Sequence, residues 1–190
     1  VKGPRKRELL FGFDRTNSRF GAQWLYPMAH QGVENMAQLK EGDFAPDFAL
    51  PSDEGKMVSR AKLEGKPLVL YFYPKADTSG CTKEATEFNA LLNEFHKMDC
   101  AVLAVSPDPV AALARFKKKY GLAFPLLGDE SHATLESYGV WTQKSMYGRS
   151  YMGVERSTFL IGKDGRIARI WRKVKVDGHA QEVLAAARAA

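Results

Sequence analysis

Leu68-Val69-Leu70-Tyr71-Phe72-Tyr73-Pro74-Lys75-Ala76-Asp77-Thr78-Ser79-Gly80-Cys81-Thr82-Lys83-Glu84-Ala85 is the stretch whose reading decides the fold. Its first six residues are a continuous apolar run. They are β-branched and aromatic enough to predict a strand buried on both faces. Past Cys81, the apolar Ala85, Phe88, Leu91, Leu92 and Phe95 recur at helical spacing, predicting a helix over 81–97. Cys81 is therefore expected where a strand-to-helix turn hands the chain into the first helical turn. Backbone N–H groups there lack intrahelical partners, and the helix macrodipole is positive. Both favour a thiolate, which is the nucleophilic form of cysteine. The plain alternative is a free cysteine packed as a small hydrophobe. The polar flanks and the helix start argue for a reactive one.

Working outward, residues 44–59 predict two short strands around the turn Ser52-Asp53-Glu54-Gly55. Residues 101–105 predict another buried strand, ending at Ser106-Pro107-Asp108-Pro109. An amphipathic helix over 110–120 is closed by Gly121, as expected at a C-cap. A short strand at 124–127 and a short helix at 131–138 follow. Strands at 158–161 and 167–171 flank the hairpin turn Lys163-Asp164-Gly165-Arg166, and an Ala-rich helix over 178–189 closes the chain. Strands alternating with helices, then a hairpin and a last helix, predict an α/β domain with a mixed central sheet flanked by helices.

Composition bounds the function. The 190 residues are 45% hydrophobic and 26% charged, enough for one domain with a real core. No apolar run approaches membrane-spanning length. Two cysteines, Cys81 and Cys100, argue against a disulfide framework and a zinc site. The four histidines (His30, His96, His132, His179) show no metal-ligand spacing, so neither metal nor cofactor is expected. Half of the net charge of +6 lies in residues 1–35, where Lys2, Arg5, Lys6, Arg7, Arg15 and Arg19 outnumber Glu8, Asp14 and Glu34. The rest carries no basic stripe, which excludes an indicated nucleic-acid partner. Lys117-Lys118-Lys119 reads as a solvated helix face.

Residues 1–35 show no sustained period, and Leu9-Leu10-Phe11 is too short for a secretory core. The three acidic residues weaken an Arg-rich targeting peptide. The segment is expected to be a poorly ordered extension, natural or from an over-long coding assignment, ahead of a domain at 36–190. A cytoplasmic protein without membrane association is expected.

Pro74, Thr78 and Cys81, at spacing P-x-x-x-[T/S]-x-x-C, resemble the peroxidatic motif of the peroxiredoxins, and Glu84 matches that family's Glu/Gln position. Tyr138-Gly139-Val140-Trp141 and Gly153-Val154-Glu155-Arg156-Ser157-Thr158-Phe159-Leu160-Ile161 resemble its bacterioferritin-comigratory, or Q-type, branch. The resemblance runs from about Leu39 to the C-terminus. It implies a thioredoxin-like fold and thiol-dependent reduction of hydrogen peroxide and organic hydroperoxides. Cys81 would attack the peroxide and become a sulfenic acid. Arg156, just before a late strand as the family places an arginine, would hold thiolate and peroxide together, its fork fixed by Glu84. Thr78 would present its hydroxyl to the thiolate or peroxide, and Pro74 would shape and shield the pocket. An external thiol (thioredoxin, glutaredoxin or glutathione) would recycle a monomer or weak dimer. Tyr138 and Trp141 read as core or pocket wall.

Two residues depart from the Q-type pattern. Ser79 stands where proline is frequent, with little expected consequence. Thr86 stands where many members carry a resolving cysteine, five residues after the peroxidatic one. Cys100, at the far end of the predicted helix, would lie about 25–30 Å from Cys81 at ~1.5 Å rise per residue. A disulfide needs Cα atoms within ~7 Å. Cys100 thus reads as a structural residue, and a one-cysteine cycle is expected. Two rivals share parts of this reading. A thioredoxin-like disulfide reductase would use C-x-x-C, which this chain lacks. A non-enzymatic peroxide sensor, a holdase or a thioredoxin-like redox binding module would need only the reactive thiol.

Overall fold

The structure is a computed structural model that describes residues 38–146 and 148–189. The expectation of a poorly ordered extension over residues 1–35 lies outside the described residues. In chain order the elements are β1 (Ala49–Pro51), β2 (Met57–Ser59), a 3-10 turn (Arg60–Leu63), β3 (Leu68–Phe72), α1 (Ser79–Lys97), β4 (Ala101–Ser106), α2 (Val110–Tyr120), β5 (Leu126–Gly128), α3 (Ala133–Ser137), β6 (Trp141–Met146), β7 (Arg149–Val154), β8 (Ser157–Ile161), β9 (Ile167–Trp171) and α4 (His179–Ala189).

The apolar run of β3 takes the middle of a five-stranded sheet of order β5-β4-β3-β8-β9. It pairs parallel with β4 and antiparallel with β8, making the sheet mixed as its alternating elements predict. All five β3 residues are buried because both faces are covered. Side chains alternate across the sheet. Val69 and Tyr71 face a core built from Ala85, Phe88, Leu92 and Phe95 of α1, Leu113 and Phe116 of α2, and Val183 of α4. Leu68, Leu70 and Phe72 face a second core with Phe48, Leu50, Leu135, Tyr138 and Phe159. Phe88 stacks on Tyr71 with ring centroids 4.8 Å apart, so the helix that carries Cys81 is bonded to the central strand by aromatic packing.

Register positions the functional end. Phe72 pairs with Ser157, so the residue after the strand, Tyr73, lies beside the residue before β8, Arg156. On the other side Phe72 pairs with Val105, and the Tyr73 amide donates to the Val105 carbonyl at 3.1 Å. The turn that opens α1 is thus flanked by the start of β8 and by the end of β4.

Two boundaries and one missed ribbon stand out against the sequence reading. Helix α1 begins at Ser79, because Thr78 takes extended N-cap dihedrals (φ −95, ψ 155) and the chain is helical from the next residue. β5 begins at Leu126, since Pro125 has no N–H to give a ladder. The β6–β7 ribbon, turning at Gly148 with φ 75, was not legible as a hairpin. Its strands mix polar and apolar residues without the buried face that makes a strand visible. Tyr138 is fully buried, its hydroxyl donating to the Pro46 carbonyl at 2.8 Å, and half-buried Trp141 stacks on His132 at 4.0 Å.

Candidate active site

Cys81 and Glu84 of α1 meet Arg156, from a distant part of the sequence, near the start of that helix. Thr78 caps the helix by position, so Cys81 is its third residue. The first intrahelical bond is Thr82 N–H to the Thr78 carbonyl at 2.8 Å. The amides of Ser79, Gly80 and Cys81 come before it and carry the positive end of the dipole. No acidic residue sits in this first turn to neutralise it. Cys81 is only 2% exposed, so its sulfur is held in a dry, positive environment.

Arg156 approaches from the segment joining β7 to β8. Its Nη2 donates to Cys81 Sγ at 3.2 Å, and its Nη1 donates to Glu84 Oε2 in a buried ion pair. Cys81 and Glu84 are i and i+3 on one helix, hence on one face, and a single planar guanidinium spans both. The arginine backbone is pinned as well, its carbonyl accepting from the Val174 amide at 3.0 Å. Gly80 lies against the same guanidinium: a Cβ there would sit 3.5 Å from Arg156 Nη2, an ordinary contact distance. Burial pushes the Glu84 carboxyl up to about 7, against the opposing pull of Arg156. The second carboxyl oxygen, Oε1, is buried with no hydrogen-bond partner among the described residues, as are the hydroxyls of Tyr71 and Tyr73.

The other two residues singled out in the sequence stand at the same turn with different contacts. Pro74 is half-buried at the strand exit. Thr78 is exposed, and its hydroxyl donates to the Lys75 carbonyl at 3.0 Å. Its proton is committed to the loop backbone, leaving the oxygen lone pairs. Thr86 is exposed and its hydroxyl donates to the Lys83 carbonyl at 2.9 Å. Cys100 lies just before β4, at the opposite end of α1 from Cys81. It is buried, and burial pushes its thiol up to about 11.

Sequence reasoning passed over the support for this turn. The Ala76 amide donates to Asp108 Oδ2 at 2.7 Å, and Asp77 accepts from Lys119 and from the Tyr120 hydroxyl. Ser106-Pro107-Asp108-Pro109 was visible only as the end of a strand. Its position beside a parallel neighbour's turn was the signal available. No group of three or more His, Cys, Asp or Glu side chains suited to a metal occurs among the described residues.

A thiol, a fixed guanidinium and helix-start amides at one buried point form an arrangement suited to nucleophilic attack by sulfur, with donors in place for negative charge that develops there. The AhpC/TSA family pattern matches residues 42–170. Peroxiredoxin Bcp of Bacillus subtilis is 46% identical over 146 residues, 77% of this chain and 93% of that protein. A solved structure of the Xanthomonas campestris bacterioferritin comigratory protein, concerned with its alkyl peroxide reduction activity, matches with a TM-score of 0.72 at 44% identity, covering 75% of this chain and 90% of that one. A cysteine-to-serine mutant of Xylella fastidiosa PrxQ matches with a TM-score of 0.77 at 38% identity, covering 80% and 98%.

Proposed function

The chain belongs to the AhpC/TSA family, in the peroxiredoxin branch that includes the bacterioferritin-comigratory and Q-type proteins, and from that premise we propose how its own residues carry out thiol-dependent peroxide reduction. The Cys81 thiolate attacks the terminal oxygen of a hydroperoxide. The O–O bond breaks, the sulfur keeps that oxygen as a sulfenic acid, and the other oxygen leaves as water or an alcohol once protonated. Negative charge spreads over both oxygens in the transition state. Donors already fixed in place stabilise it without reorganising. Arg156 and the amides of Gly80 and Cys81 are those donors, and Glu84 fixes the guanidinium. Thr78 offers oxygen lone pairs to the peroxide O–H, and Pro74 shields the pocket.

The observation that carries this reading is the single guanidinium shared by Cys81 and Glu84. A structural cysteine has no need of an arginine donor held by a buried carboxylate.

The regenerating half is a one-cysteine cycle. An external thiol attacks the sulfenic acid, water leaves, and a second thiol releases Cys81 and a disulfide. Thr86 and the inert, distant Cys100 support this over an internal disulfide. The thiol comes from thioredoxin, glutaredoxin or glutathione, in the cytoplasm, to a monomer or weak dimer. No described helix is long and apolar enough to cross a membrane. Steady-state peroxide consumption with each reductant supplied in turn is the test. Turnover that vanishes in Cys81→Ser is expected, and a single stoichiometric reaction without turnover would instead identify a sensor.

A further inference from the structure

We infer that Asp108, oriented by Ser106, is the positioning residue of the Cys81 turn: its carboxylate holds the loop so that the sulfur meets Arg156. This rests on the reading of Cys81 as the attacking thiol. Six residues, 73–78, join the end of β3 to the first residue of α1. They must deliver a sulfur to a guanidinium that arrives independently from β8. Tyr73 is still held by the ladder through its bond to Val105, and beyond it the sheet gives no further bond. The next backbone anchor is the Ala76 amide on Asp108 Oδ2, at 2.7 Å. A bond to a charged acceptor is about twice as strong as a neutral one.

That carboxylate is itself fixed. The hydroxyl of Ser106, wholly buried at the end of β4, donates to the same Oδ2 at 2.9 Å and accepts from the Asp108 amide at 3.3 Å. The backbone carrying Asp108 packs so closely on β5 that a Cβ on Gly128 would lie 2.8 Å from the Asp108 carbonyl oxygen. The anchor therefore belongs to the rigid sheet edge and not to a free loop. Directly after Ala76, Asp77 is in the left-handed region at φ 60, where its side chain accepts from Lys119 at 2.8 Å and Tyr120 at 2.6 Å. This second tie is exposed and screened, which leaves Asp108 the dominant one.

Misplacing reacting groups by about 1 Å costs on the order of a hundredfold in rate. The test compares two reactions of the same sulfur in wild type, Asp108→Ala and Asp108→Asn. Reduction of hydrogen peroxide needs the thiolate and its alignment with Arg156. Alkylation by iodoacetamide needs the thiolate and access to it, but not its alignment with Arg156. Asp108→Ala is expected to lower the single-turnover peroxide rate at least ~10-fold while alkylation changes far less. Asp108→Asn keeps an acceptor for the Ala76 amide and is expected to recover most of the rate. Equal losses in the two reactions, in step with a lowered Tm, would reduce Asp108 to a structural role and overturn the inference. So would a peroxide rate for Asp108→Ala within twofold of wild type. If Asp108→Ala does not fold, Ser106→Ala carries the same comparison, with a severalfold fall in the peroxide rate expected and no change overturning the inference. A Cys81→Ser control separates the two levels. Activity surviving in it would overturn the reading of the site. Its loss together with a normal Asp108→Ala would overturn only the positioning role.

Discussion

Arg156 and Glu84, 72 residues apart in sequence, form a buried ion pair whose guanidinium also reaches the sulfur of Cys81 at 3.2 Å. The carboxylate takes one edge of the planar fork, which leaves the other directed at the thiol. A point charge could neutralise Glu84 or approach Cys81, but it could not bridge them with two defined bonds.

Arg156→Lys is therefore expected to lower the rate of peroxide reduction ~10-fold or more, by comparison with the ~10²–10³ that one preorganised donor contributes elsewhere. Stopped-flow rates check this, and a wild-type rate would place Arg156 outside the chemistry.

Glu84 gives a pH signature. Its carboxyl is raised by burial from 4.5 to about 7, so the pairing carboxylate is lost as pH falls through about 7. The single-turnover rate should decline with it, and Glu84→Gln should lose that inflection. The linkage to stability has the opposite sense from a paired surface carboxylate. Between about 4.5 and 7 the folded state holds a proton that the unfolded state has released, so this group lowers stability as pH rises across that window. A plot of Tm against pH should be flatter there in Glu84→Gln. An identical slope in both proteins would show that Glu84 does not titrate in this range.

Cys100 should be dispensable. Its thiol is pushed up to about 11 by burial, and it donates weakly to the Ala101 carbonyl at 3.7 Å. Cys100→Ser is expected to turn over close to wild type with any reductant that works. Peptide mass spectrometry after one equivalent of peroxide should find Cys81 as sulfenic acid or as an adduct of the added thiol, with sulfinic acid at excess peroxide. A dominant Cys81–Cys100 linkage within one chain would establish a two-cysteine cycle instead.

Gly128→Ala should destabilise the protein by about 1–3 kcal/mol, the usual cost of forcing an extra carbon into a packed site. The new Cβ meets backbone at 2.8 Å, which cannot move aside as a flexible side chain would. Chemical denaturation measures the loss. Because the displaced atom is the Asp108 carbonyl oxygen, the peroxide rate of the folded variant should fall as well. A variant as stable and as fast as wild type would show the sheet edge to be compliant.

The sequence by itself determined what depends on neighbours in the chain. The apolar run of β3, the 3.6-residue spacing of Ala85, Phe88, Leu92 and Phe95, and the polar turn between them were sufficient to put Cys81 at a helix start. Gly121 marked the end of α2 because its left-handed φ of 61 is a local requirement. The resemblance to the peroxidatic motif could be read for the same reason, since Pro74, Thr78, Cys81 and Glu84 lie within eleven residues of one another. Tertiary structure decided the rest. Arg156 meets Cys81, 75 residues earlier, only because Phe72 pairs with Ser157 in the sheet. Asp108 meets Ala76 only because β4 lies parallel to β3. The Thr78 hydroxyl turned to the Lys75 carbonyl, and the β6–β7 ribbon formed without a buried apolar face. Periodicity reports which face of an element is buried, whereas register and side-chain direction are settled by packing between elements far apart in the chain.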